Sequence, residues 1–147
     1  MNDKAKDDVF YVCSLIEYIG RVTKNHRKDV VSKLAGNAIE HQLDVAELNH
    51  CLSFGQVSDE LIEQYSISDG DYDTVSNCRY DVPSVTAIGR VYQRLILSVF
   101  GLEHAAQGIR EVFSSFISDA ISDFETSVYY SNPDYLRCSY EDGYLLD

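Results

Sequence analysis

The chain has 147 residues, with 12 lysines and arginines against 24 aspartates and glutamates and a formal net charge of −12. That length suits one domain that buries its own core without disulfide staples, and 45% hydrophobic with 12% aromatic residues exclude a wholly disordered acidic chain. The charge repels nucleic-acid phosphates and anionic lipid heads over long range, and no apolar run approaches the roughly 20 residues of a membrane span.

Met1–Asp8 is polar and rich in acids, unlike a secretory leader. Val9, Val12, Cys13, Ile16, Ile19 and Val22 then recur at steps of three and four, which predicts an amphipathic helix ending near Lys24. A shorter helix follows from about His26 to Ala35, with Val30, Val31 and Leu34 inward and Gly36-Asn37 as its stop. Over residues 37–52, Ile39, Leu43, Ala46 and His50 share one helical face, and His41, Val45, Leu48 and Leu52 a nearly opposite one. Two apolar faces predict a helix wedged between neighbours, with the strip of Glu40, Asp44, Glu47 and Cys51 outside. Ser53-Phe54-Gly55-Gln56 has capping-box spacing, or Ser58 caps, so a fourth helix runs to about Tyr65.

Residues 66–82 hold turn formers and acids, with Val75 the only aliphatic side chain between Ile67 and Val82. A loop of about 17 residues is long for a small domain and usually functional or mobile. Pro83 suits the first turn of a fifth helix, whose inward stripe is Val85, Ile88, Tyr92, Leu95, Ile96 and Val99. Gly101 ends it. Leu102, Ile109, Val112, Phe113, Phe116, Ala120 and Phe124 then predict one long helix, paired antiparallel with the fifth across the short connection. From Tyr129 the stripe stops, Asn132-Pro133-Asp134 reads as a turn, and tyrosines 129, 130, 135, 140 and 144 mark a Tyr-rich tail. The fold expected is a single all-α domain of about six helices. It comprises a four-helix group over 8–65, the acidic loop 66–82, a helical hairpin over 83–128 and the tail 129–147. Residues 9–65, through helix spacing and Ile16-Glu17, loosely resemble small helical domains of bacterial accessory genes, which implies no particular site.

Asp69, Asp71 and Asp73 occupy the first, third and fifth positions of a calcium loop, but Thr74 stands where glycine should make the turn and Tyr80 where a bidentate glutamate should close it. Glu47 and His50 form one E-x-x-H step where a di-iron bundle needs two, and Cys51 completes no zinc spacing. Neither metal nor cofactor is expected. Arg21-Val22-Thr23-Lys24-Asn25-His26 fits the loose R-x4-H pattern of helical ribonucleases. Arg21, Lys24, His26, Arg27, Lys28 and Lys33 also form the chain's one basic cluster, able to contact a phosphate or to pair with the acidic half of the same molecule. No phosphate-cradling glycine loop or nucleophile elbow is present. Cys13, on an apolar stripe, reads as core.

Charge is uneven along the chain: residues 66–147 carry five basic and thirteen acidic side chains. Asp119, Asp123 and Glu125 fall in the last turns of the expected long helix, where carboxylates oppose the macrodipole at about 0.3–1 kcal/mol each. Tyr135, Tyr140 and Tyr144 alternate with Glu141 and Asp142, a pairing of amphipathic rings and acids suited either to an interface or to folding back. The expectation is a non-enzymatic acidic module of antitoxin, immunity or inhibitor type. It would contact a basic partner protein through Asp119, Asp123, Glu125, Tyr135, Tyr140, Glu141, Asp142 and Tyr144. The alternatives are a nucleic-acid mimic and a small nuclease or nucleic-acid-binding regulator using the Arg21–Lys33 cluster. Four scattered cysteines without a C-x-x-C pair point to reduced thiols in the cytoplasm.

Overall fold

The computed structural model describes residues 3–147, and its regular elements are all helical; Met1 and Asn2 lie outside the described residues. Among the described residues eight α-helices are formed where about six were expected: α1 (Asp3–Thr23), α2 (Arg27–Lys33), α3 (Ala38–Asn49), α4 (Phe54–Gln64), α5 (Val85–Phe100), α6 (Ala105–Ser114), α7 (Phe116–Ser122) and α8 (Pro133–Asp142). Two further single turns of 3-10 helix cover Leu102–His104 and Val128–Tyr130.

α1 is the spine. Val9, Val12, Cys13, Ile16 and Ile19 are all at most 1% exposed, while Val22, at the end of the same stripe, is 49% exposed. Each fully buried side chain of this kind stabilises the fold by about 1.5–3 kcal/mol. α5 lies along α1 in the opposite direction: Gln93 donates to the Lys6 carbonyl near one end, and Arg21 donates to the Pro83 carbonyl near the other. Between these points Gly89 faces Ser14 so closely that any side chain at 89 would overlap the serine hydroxyl.

The helices of the second half account for the extra count. Gly101, at φ +72°, turns the chain after α5, and the antiparallel hairpin then forms as expected, with Tyr92 stacked on Phe113 at 3.9 Å. The long helix predicted beyond it is broken at Ser115. Its backbone is extended and its hydroxyl accepts from the Ile117 amide, so it caps α7 and leaves Phe116 39% exposed. Pro83 is not part of α5, because Ser84 is the N-cap and its hydroxyl accepts from the Ala87 amide at 3.0 Å. The tail is also helical in part. Asn132 caps α8 by accepting from the Asp134 amide at 2.8 Å, Pro133 fills the first turn, and Gly143, at φ +86°, ends it.

α3 is not wedged between neighbours. Ile39 and Ala46 are buried as predicted, but His41, Leu48 and Leu52 are exposed and Val45 is only partly covered. At α4 the capping box forms in full, with Ser53 and Gln56 bonded reciprocally. Residues 66–82 contain no helix, yet they are pinned: the Gly70 amide donates to the Thr23 carbonyl and the Tyr72 amide to the Lys24 carbonyl, both at 2.8 Å.

Candidate protein-binding face and the buried charge cluster

The basic cluster of the sequence is taken apart by the fold. Glu17 sits on the buried side of α1, one turn before Arg21, and its side chain is 0% exposed. Its carboxylate accepts from Arg21 Nε at 2.7 Å and from Arg27 Nε and Nη2 at 2.9 and 3.0 Å. Arg27 is 1% exposed and completes its bonding on the Asn25 carbonyl, while Arg21 reaches the Pro83 carbonyl and lies 5.1 Å from the Phe124 ring centroid. Burial alone would discourage the charge on Arg27, but the field and hydrogen bonds of Glu17 outweigh it and raise its pKa. Two of the residues expected to contact a phosphate therefore face inward and are bonded to protein. Lys24 and Lys28 remain exposed.

His26 pairs with the acidic half of the molecule. Its Nδ1 lies 2.8 Å from Asp119 Oδ1, and its ring stacks on Tyr72 at 3.7 Å, so α2, the acidic loop and α7 meet at one imidazole. Burial, and then the Asp119 carboxylate, push the Tyr72 phenol up to about 12. Within the loop, Ser76, through its hydroxyl and amide, and the Val75 amide hold the Asp73 carboxylate down at about 2. Asp73 thus bonds its own turn.

The carboxylates expected at the partner surface are partly engaged within the chain. Asp119 occupies the first turn of α7, where the helix dipole favours it, rather than the last turn of a long helix. Asp123 is the C-cap of α7, and Glu125 bonds Arg79. On α8, Tyr135 donates to the Leu146 carbonyl, Tyr140 packs near Phe100 and Glu141 accepts from Arg137, whereas Asp142 and Tyr144 point outward. The tail folds back through two tyrosines and leaves Tyr144 61% exposed. The predicted set is therefore split between α7 with the residues just after it and α8 with the residues that follow it.

A second exposed surface lies at the end of α3 and just beyond it. Leu48 is 74% and Leu52 41% exposed. Leu52 also borders a cleft of about 230 Å³ walled by Phe10, Tyr11, His50 and Phe54. Glu40, Asp44 and Glu47 line the adjoining strip; Glu40 and Glu47 reach Arg110 and Lys4 only at 3.4 and 3.5 Å, and Asp44 forms no ion pair among the described residues. The sequence signal for this face was present as the second apolar stripe, but periodicity alone does not tell a face covered by the same chain from one left open.

No protein-family model, curated protein or solved structure matches the chain. Among the described residues, no helix is long and apolar enough to cross a membrane, and no three histidine, cysteine or acidic side chains converge as a metal site would require.

Proposed function

We propose that this protein is a non-enzymatic acidic module that binds a basic partner protein and blocks it by occlusion, as an antitoxin, immunity protein or inhibitor does. One observation carries the reading: an exposed apolar pair, Leu48 and Leu52, the latter beside a cleft, is bordered by carboxylates on a chain with twice as many acids as bases. The chain carries −12 and the interior trio Glu17, Arg21 and Arg27 carries +1, so the remaining groups sum to −13. Such a surface steers a cationic partner at long range, and the leucines and cleft supply short-range affinity. The cysteines are free thiols, which suits a cytoplasmic setting. An apolar anchor from the partner would enter the cleft while its lysines and arginines face Asp44 and Glu47.

The test is affinity capture from native lysate with nuclease present, comparing the wild type with Leu48→Asp/Leu52→Asp. A basic protein held by the wild type, released by salt and lost with the double variant supports the reading. Capture that competes with oligonucleotide moves it to a nucleic-acid mimic. Capture of no protein once nuclease is present, or capture unaffected by both leucine substitutions, overturns it.

A further inference from the structure

A second feature stands apart from the α3 face. Between the first half of α5 and the start of α8 lies a cavity of about 600 Å³, within the range of small-ligand sites. Ala87, Val91 and Leu95 of α5 form one wall, and Tyr129, Pro133 and Leu136 form the other. Its charged lining residues are Arg94 and Asp81.

Arg94 is the exception among the arginines. The chain has seven, and six of them bond a carboxylate, a carbonyl or an amide oxygen: Arg21 and Arg27 on Glu17, Arg79 on Glu125, Arg90 on Gln93, Arg110 on Leu34, and Arg137 on Glu141. Arg94 makes no hydrogen bond or ion pair among the described residues. Arg94 is exposed and lines the cavity with its donors unbonded; it also borders a neighbouring groove lined by Asp3 and Asp7. The guanidinium presents a planar fork of donors that matches a carboxylate in two parallel bonds.

We infer that this cavity binds a small amphipathic carboxylate, its apolar body between α5 and α8 and its carboxylate on Arg94. The inference does not depend on the partner-binding reading. Asp81 would repel the same head group, so its neutralisation should tighten binding.

The experiment is calorimetric titration of the full chain with decanoate and with 1-decanol, both below aggregation, on the wild type, Arg94→Gln, Asp81→Asn and Ala87→Phe. Arg94 and Asp81 are exposed, so their variants retain the fold, which circular dichroism verifies. Decanoate should bind the wild type more tightly than decanol. Arg94→Gln should weaken decanoate about tenfold or more and leave decanol unchanged, Asp81→Asn should strengthen decanoate, and Ala87→Phe should abolish both by filling the cavity. Absence of decanoate binding at millimolar concentration, equal affinity in wild type and Arg94→Gln, or binding that survives Ala87→Phe overturns the inference.

Discussion

Glu17 and Arg27 face one another across the turn between α1 and α2, joined by two hydrogen bonds of 2.9 and 3.0 Å with neither side chain more than 1% exposed. Arg21 shares the same carboxylate, so one anion holds two cations inside the domain. Removing that anion leaves uncompensated buried charge, the costly way to break an internal pair. Glu17→Gln is expected to lower unfolding stability by about 3–5 kcal/mol in urea titration. A loss under about 1 kcal/mol would show that the arginines relax to solvent.

Gly20 is fitted to the same pair. A methyl group there would overlap the Arg27 side chain, whose guanidinium is fixed on both sides. Gly20→Ala is expected to cost about 1–3 kcal/mol as overpacking, despite alanine's better helix propensity. Thermal unfolding of the single variant measures it.

Tyr72 gives the fold an alkaline limit. Its phenol is pushed up from 10.0 to about 12, by burial first and then by Asp119, so the folded state keeps the proton longer than the unfolded chain does. Stability from this group is complete below about pH 10 and is lost as pH rises towards about 12. Tyr92, buried and shifted in the same direction, adds to the effect. Urea midpoints should fall across this window, and Tyr72→Phe should make the fall shallower; an unchanged slope would mean that Tyr72 ionises as freely in the fold as out of it.

The His26–Asp119 contact separates a fastening role from a catalytic one. Both side chains are more than a third exposed, so a pair of this kind contributes at most about 1 kcal/mol. His26→Ala and Asp119→Asn should each loosen residues 66–82 in hydrogen exchange and leave partner capture intact. Loss of a nucleolytic activity in either variant would instead favour the nuclease alternative.

The apolar core was legible in the sequence because helical periodicity reports burial: the α1 and α5 stripes each marked a core-facing helix, but not that the two would pack on one another. The capping box at Ser53 was legible for the same local reason. What periodicity missed was set by single residues. Ser115 interrupts a stripe that reads as continuous, since the apolar spacing of Val112, Phe113, Phe116 and Ala120 survives the break. Asn132-Pro133 was read as a turn, although an asparagine cap followed by proline also opens a helix. Arg27 was read as surface because nothing local shows that Glu17, ten residues earlier, will meet it inside. Glu17, an acid within the apolar stripe of α1 and one turn before an arginine, was the available signal.

The cap at Asn132 is open to the same kind of test. Asn132→Ala removes the acceptor for the Asp134 amide and should cost about 1 kcal/mol. Hydrogen exchange over residues 134–142 should then rise more than over α5. Uniform protection would mean that packing on α5, rather than the cap, holds α8.

Binding by the α3 face is tested by the association rate of this protein with its captured partner, followed by stopped-flow across a salt series for the wild type, Asp44→Asn/Glu47→Gln and Leu48→Asp/Leu52→Asp. Occlusion through the α3 face predicts a basic partner, a rate that falls steeply with salt, a slower rate at low salt for the neutralised acids, and faster dissociation with at least tenfold weaker affinity for the leucine variant. A rate indifferent to salt, together with full affinity in the leucine variant, would contradict it.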